Sequence, residues 1–157
     1  LFTRAANVYG AGQQLYRIIP QTIIKAKLGK KLNLEGGGKS IRSFIHIHDV
    51  SEAVFKILIN GKIGHSYHIS TNKIISIKDL VLKISKILGV NYKKLVKLTP
   101  ERRAKDYAYL LNTNKLRKTL NWKDKISLDK GILETLNWID SNLKIIKKLP
   151  STYKHKA

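Results

Sequence analysis

The 157-residue chain is expected to adopt an α/β fold, and three observations lead there. Short apolar runs that alternate with polar residues, the pattern of strands, are interleaved with segments whose apolar residues recur every three or four positions, the pattern of helices. Glycine, proline, or a short hydroxyl or carboxylate residue stands at most junctions, where turns and helix ends need them. Hydrophobic residues make up 43% of the chain and charged residues 26%, which suits a packed core under a solvated surface. Strands and helices alternate in the first half, whereas helices dominate the second. The strands are too few for a complete doubly wound sheet, so further strands are expected upstream.

Each element has its own warrant. Residues 1–9 read as a strand ending in the polar loop Asn7-Val8-Tyr9-Gly10. Pro20 suits the first turn of a helix and Gly29 its stop, giving a short helix over 20–29. Residues 31–34 form a short strand before the turn Gly36-Gly37-Gly38. Residues 41–47 form a strand on which Ile41, Ser43, Ile45 and Ile47 share a face. Asp49 is placed to cap a helix over 50–59. Residues 64–70 are again a strand with a polar exit. Ser76-Ile77-Lys78-Asp79 resembles a capping box with Asp in place of Glu or Gln, and the helix it opens puts Leu80, Ile84, Ile87 and Leu88 on one stripe before Gly89 stops it. Residues 91–111 are less regular. Asn112-Thr113 leads a short helix containing Leu116 and Leu120, and Ser127 caps a last helix in which Leu128, Ile132, Thr135, Leu136 and Ile139 share a face. There is no repeat, low-complexity linker or internal boundary in the sequence, so residues 1–149 read as one part and 150–157 as a basic tail.

Composition removes several classes of function. Without cysteine there are no disulfides and no thiolate metal sites. No apolar run reaches the roughly 18 to 20 residues of a membrane span, and the first residues lack the basic region and small-residue cleavage site of a secretory signal. A cytoplasmic location and no membrane partner are therefore expected. Methionine is absent and Leu1 is too large a neighbour for an initiator to be trimmed, so the chain is expected to be the downstream part of a longer protein. The net charge of +21 comes from 25 Lys and 6 Arg spread along the whole length, with few aromatics among them. That reads as a solvated lysine-rich surface rather than a stacking platform for bases, and nucleic acid is not expected as a partner. A basic nucleic-acid-binding module without catalysis is the alternative of a different class. His46 and His48 would point to one face of a strand, but no further ligands stand nearby, so no metal site is expected. No Gly-x-Gly-x-x-Gly follows a strand, no phosphate-binding Walker sequence is present, and no Ser-His-Asp set has support.

Several stretches go further together than any does alone. Asn7-Val8-Tyr9-Gly10 and Tyr16-Arg17-Ile18-Ile19-Pro20 are followed by Gly36-Gly37-Gly38-Lys39-Ser40-Ile41-Arg42-Ser43-Phe44-Ile45-His46-Ile47-His48-Asp49-Val50. Then come Tyr67-His68-Ile69-Ser70 with Ser76-Ile77-Lys78-Asp79-Leu80, and finally residues 102–115 with Leu120-Asn121-Trp122 and Ser127-Leu128. In order and spacing over residues 3–140, this resembles the C-terminal portion of the extended short-chain dehydrogenases/reductases, the NAD-dependent epimerase/dehydratase family. Within that family the likeness is greatest to nucleotide-sugar 4,6-dehydratases of the dTDP-glucose type.

The resemblance implies a Rossmann-type sheet of which this chain holds the last strands, together with a small, mostly helical substrate-binding part. It implies that the Gly-rich NAD site, the Tyr-x-x-x-Lys pair and the acid and base of the dehydratases belong to an upstream half. No catalytic residue is therefore expected here, and the chain should be inert alone. What it implies for these residues is substrate binding. Asn7 matches an amide contacting the sugar nucleotide, and Arg17 stands close to the nucleotide. Asn33, Leu34 and Glu35 belong to the same nucleotide side. Arg42 matches the diphosphate ligand, and His68 stands where the family has Asn. Arg102, Lys105 and Asp106 fall in a loop reaching the diphosphate or ribose. Val8 matches a position touching the nicotinamide of NAD. The implied partners are a nucleotide-diphosphate sugar and, in the complete enzyme, a second copy as a homodimer. The implied role is deoxysugar or polysaccharide biosynthesis.

Some positions depart from the family pattern. Ala11 replaces proline after Tyr9-Gly10, and Glu35 replaces the aromatic residue that stacks on thymine. Ser43 stands where dehydratases have Asp, a substitution shared with the UDP-glucuronate decarboxylases. The nucleotide base stays open, and a 4-epimerase or decarboxylase stands as the alternative reaction.

Overall fold

The computed structural model describes residues 1–101 and 106–150. Arg102, Lys105, His155 and the rest of the basic tail lie outside the described residues. In chain order the elements are β1 (Phe2–Ala5), β2 (Asn7–Tyr9), α1 (Ile18–Lys27), β3 (Leu32–Glu35), a turn at Gly36–Gly38, β4 (Ile41–Arg42), β5 (Phe44–His46), α2 (Ile47–Asn60), β6 (Ser66–Ile69), β7 (Ile75–Ser76), α3 (Ile77–Ile87), α4 (Tyr92–Leu95), β8 (Val96–Thr99), β9 (Ala108–Tyr109), α5 (Asn114–Leu120) and α6 (Leu128–Ile146). None of the described helices is long and apolar enough to cross a membrane.

The residues fall into two compact units that the chain enters in turn. The first holds residues 1–9, 40–76 and 106–131. There β1 pairs with β6 and β2 with β5, both parallel. A further small sheet sets β4 between antiparallel β7 and parallel β9. The core of this unit gathers Ala6, Ile45, Val50, Ala53, Ile57, Tyr67, Ile69, Leu116 and Trp122. The second unit holds residues 10–39, 77–101 and 132–150 of those described. Its β3 pairs in parallel with β8, and Leu32, Leu34, Val81 and Leu95 close its core under Ile18, Ala26 and Ile77. Because the units interleave, no shift in composition marks the crossings between them.

Several local starts differ from the sequence expectation. The first strand is two, because Ala6 stands between β1 and β2; its N–H still bonds the Ile69 carbonyl at 2.9 Å, while β2 turns to β5. Helix α1 starts two residues before Pro20. That placement is harmless, since the first four amides of a helix have no partner within it. The 41–47 strand breaks at Ser43, and α2 begins at Ile47. Asp49 therefore sits inside the first turn instead of capping it. His46 and His48 consequently do not share a strand face. Their rings stack at 5.2 Å, and His46 meets the edge of the Tyr9 ring at 5.3 Å. The irregular stretch 91–111 contains α4, β8 and β9, with the Asn91 side chain capping α4 at Lys94 N–H.

Other expectations hold locally. The Ser127 hydroxyl accepts the Lys130 N–H at 3.2 Å at the start of α6. Asn112 Oδ1 accepts the Asn114 N–H at 2.9 Å as α5 begins. Helix α5 ends on Asn121 at φ 45°, a left-handed position that Asn tolerates.

Candidate functional site

In the first unit, the polar end of the opening strand is built around Asn7. Its Nδ2 donates to the Ser43 carbonyl at 3.0 Å, and the Ser43 and Ser70 hydroxyls share a hydrogen bond of 2.8 Å. These contacts sit where β5 takes over from β6 as the pairing partner, so the amide bridges the point at which the ladder changes hands. Asn7 is half-buried, and its amide carries an acceptor, Oδ1, beside the donor that meets Ser43. Val8, beside it, is half-buried and pairs with Ile45.

Arg42 follows one residue before Ser43. Its Nη1 donates to the Ile41 and Tyr107 carbonyls at 2.7 and 3.1 Å, and its Nη2 to the Asp106 carbonyl at 2.7 Å. A guanidinium carries five N–H donors, and three of them meet carbonyls among the described residues. Arg42 thus clasps residues 106 and 107 to β4, while the Ile41 N–H bonds the Tyr107 carbonyl at 2.7 Å. The structure brings Arg42 and Asp106 together through the Asp106 backbone. The Asp106 side chain belongs to an exposed residue. His68 lies on β6 opposite Arg4 and is half-buried.

In the second unit, Arg17 is exposed at the cap of α1, with its guanidinium 5.4 Å from the Tyr16 ring centre, a cation–π distance. On β3 the alternation is clear. Asn33 is exposed, Leu34 is buried in the core, and Glu35 is half-buried at the exit. Gly36, Gly37 and Gly38 then take φ of 57°, 66° and 71°, a left-handed run that only glycine adopts without strain. A Cβ on Gly38 would stand 2.8 Å from the Lys78 backbone nitrogen, so the turn packs directly on the start of α3. The Glu101 carboxyl packs against Gly36 in the same way. The candidate residues therefore form two groups, one in each unit.

Two polar assemblies of the first unit escape sequence reasoning. Asp49 is buried, and its two carboxylate oxygens accept the Lys125 and Ile126 N–H groups, each at 3.0 Å. Arg117 donates to Thr113 Oγ1 at 2.9 Å, to the Ser70 carbonyl at 3.2 Å and to Asp124 Oδ1 at 2.5 Å, and lies 5.2 Å from the Trp122 ring centre. Burial pushes the Asp124 carboxyl up, but hydrogen bonds from Arg117 and Thr71 and the guanidinium charge outweigh it. The carboxyl therefore lies below its ordinary range. The Asp49 partners, 76 and 77 positions away, and the Ser70 carbonyl, 47 from Arg117, give no local signal. The only clue was the pairing of Asp49 with a following helical stripe, which also fits a cap.

A dinucleotide cofactor needs a glycine-rich turn leading from a strand into a helix. Among the described residues the glycine-rich turn is Gly36–Gly38, which leads from β3 toward β4. Strand β1 runs on into β2 without such a turn. These residues do not by themselves form a dinucleotide cradle.

Known proteins complete the picture. The family model for GDP-mannose 4,6 dehydratase matches residues 2–135. A trifunctional UDP-glucose 4,6-dehydratase/UDP-4-keto-6-deoxy-D-glucose 3,5-epimerase/UDP-4-keto-L-rhamnose-reductase of Arabidopsis thaliana is 33% identical over 89% of this chain and 21% of its own length. The dTDP-glucose 4,6-dehydratase of Haemophilus influenzae is 28% identical over 88% of this chain and 44% of its own. Among solved structures, dTDP-glucose 4,6-dehydratase of Bacillus anthracis in complex with NAD aligns with a TM-score of 0.84 at 30% identity, covering 90% of this chain and 45% of that one. A Bordetella bronchiseptica enzyme in complex with NAD and UDP aligns with a TM-score of 0.79 at 31% identity, covering 93% and 46%. The chain thus spans less than half the length of these relatives. Its α/β architecture is that of the Rossmann-type dehydratases. The chain belongs to the GDP-mannose 4,6 dehydratase family, within the NAD-dependent epimerase/dehydratase group of extended short-chain dehydrogenases/reductases.

Proposed function

We propose that this chain is the substrate-holding part of a nucleotide-sugar 4,6-dehydratase, taking a UDP- or dTDP-linked hexose. The observation that supports this best is the family match across residues 2–135, which spans both Asn7 and Arg42. The Arg42 guanidinium, with five donors of which three meet carbonyls among the described residues, suits a diphosphate oxygen, since a guanidinium meets phosphate as a planar fork. Asn7 Oδ1 suits a sugar hydroxyl. In the first unit, His68 and Asp106 add to these contacts. The broad positive charge raises the local concentration of a dianionic substrate before any specific contact forms.

Redox chemistry in this family comes from NAD, whose cradle these residues do not form. The chain's own contribution is to bind, orient and neutralise the substrate. Val8 would touch the cofactor through its backbone. The chain alone is expected to show no turnover, and the complete enzyme is expected to be a cytoplasmic homodimer.

Calorimetric titration with UDP-glucose and dTDP-glucose tests the reading. Arg42→Ala should weaken binding by about 1.5 to 3 kcal/mol, roughly 10- to 150-fold, with the fold retained by circular dichroism. Unchanged affinity would remove Arg42 from the site. Binding of duplex DNA that collapses steeply with salt, with no sugar-nucleotide heat, would favour the basic-module reading.

A further inference from the structure

The Asn7 amide is the outer end of a line of polar contacts that runs into the first unit. Its Nδ2 donates to the Ser43 carbonyl, and the Ser43 hydroxyl meets the Ser70 hydroxyl at 2.8 Å. Ser43 and Ser70 are 1% and 0% exposed, which keeps water from replacing either partner.

At its inner end the line meets residues 113–124. Arg117 Nη2 donates to the Ser70 carbonyl at 3.2 Å. The Thr71 hydroxyl donates to the Asp124 carboxylate. The Thr113 hydroxyl donates to Asn72 Oδ1 at 3.4 Å and accepts from Arg117 Nε at 2.9 Å. Three consecutive residues leaving β6 are thus gripped by one segment. Arg117 is itself fixed on two sides, by Asp124 Oδ1 at 2.5 Å and by the buried Trp122 ring 5.2 Å away.

Cohesion alone does not call for this arrangement. Well-packed apolar residues in place of a largely buried ion pair hold segments together as well or better. A hydrogen-bonded line adds direction, because each donor must find its acceptor. Here it turns the Asn7 Nδ2 inward, so the amide's acceptor keeps one orientation. We propose that Arg117 and Asp124 are positioning residues: they lock the Ser70–Ser43 hydroxyl pair and, through it, set the orientation of the Asn7 amide that the sugar meets. A guanidinium suits the task, since its planar fork serves Asp124, Thr113 and the Ser70 carbonyl at once. What Asn7 binds rests on the dehydratase reading, whereas the line from Arg117 to Asn7 does not.

The isotopically labelled chain carrying Arg117→Lys, Ser70→Ala or both tests this with two readouts. One is the Asn7 side-chain amide signals in the NMR spectrum without ligand, and the other is calorimetric affinity for UDP-glucose. Lysine keeps a charge opposite Asp124 but lacks the fork, and alanine removes only the hydroxyl. Each single substitution should shift the Asn7 signals and weaken UDP-glucose binding about 3- to 10-fold, and the double variant should lie within about twofold of the weaker single, because both cut one line. Ile57→Val trims the buried core toward the far end of α2 and should leave the Asn7 signals in place. Asn7 signals unmoved by Ser70→Ala overturn the proposal. So do single effects that multiply in the double variant, or an Ile57→Val shift as large as that of Arg117→Lys, which would make general loosening the cause. Should Arg117→Lys fail to fold, Asp124→Asn with Ser70→Ala closes the same cycle. Absence of UDP-glucose binding by the unsubstituted chain would sink the dehydratase reading, and the line would then stand or fall on the Asn7 signals.

Discussion

Replacing Asp49 with alanine should be among the most damaging single changes in the first unit. Asp49 is buried, and its carboxylate takes one N–H from Lys125 and one from Ile126, each at 3.0 Å, joining the first turn of α2 to a segment 76 and 77 positions away. A hydrogen bond to a charged group contributes about 1.5 to 3 kcal/mol. Two would contribute about 3 to 6 kcal/mol if nothing replaced them. Ile126 is only half-buried and Lys125 is exposed, so water recovers part of the loss for both amides. The expected net cost is about 2 to 4 kcal/mol, a large share of the 5 to 15 kcal/mol that typically holds a domain together. Asp49→Asn keeps one acceptor and turns an amide toward the other N–H, so it should cost about half as much. Lys125→Ala serves as the contrast. It leaves the backbone N–H in place and removes only the exposed Lys125–Glu52 ion pair of 2.8 Å, which is worth at most about 1 kcal/mol. Urea denaturation followed by circular dichroism reads all three. With a slope of about 2 kcal/mol per molar urea, Asp49→Ala should lower the midpoint by roughly 1 to 2 M. A loss below about 0.5 kcal/mol, or Lys125→Ala matching Asp49→Ala, would refute the reasoning.

Two further perturbations probe the same unit. Gly131 faces Tyr9 so closely that a Cβ would stand 2.3 Å from its hydroxyl oxygen, so Gly131→Ala should cost about 1 to 3 kcal/mol despite its better helix propensity; a gain in melting temperature would contradict that packing. The Asp124 carboxyl titrates below its ordinary 3.8, so the unfolded chain binds its proton first as pH falls. Its contribution is full above the unfolded value and lost as pH drops through it toward the folded one. Stability should therefore rise with pH in the acid limb, and Arg117→Ala should flatten that slope; an unchanged acid limb would mean the Arg117–Asp124 pair is not what holds the proton off.

Periodicity made most helices legible, although on α3 the buried face is Leu80, Val81, Ile84 and Ser85, with Ile87 and Leu88 only half-buried. The strand over 41–47 misled because Ile41, Ser43, Ile45 and Ile47 alternate well, whereas Ser43 is buried to meet Ser70 and the helix starts at Ile47. Asp49 has the chemistry of a cap, and only tertiary structure shows that it serves a distant loop. The resemblance marked Arg42 out as a functional cation, but its three carbonyl partners were hidden, because two of them lie more than sixty residues away. β8 was hidden because its pairing with β3 is long-range and its own pattern is short. Two interleaved units leave no linker to read.

The central claim is that this chain holds the substrate of a nucleotide-sugar enzyme. The most direct measurement is an NMR titration of the isotopically labelled chain with UDP-glucose and with dTDP-glucose. Shift changes should concentrate at Asn7, Arg42 and Asp106 in the first unit, and should saturate. Changes scattered over the lysine-rich surface without saturation, or none at these residues, would contradict it.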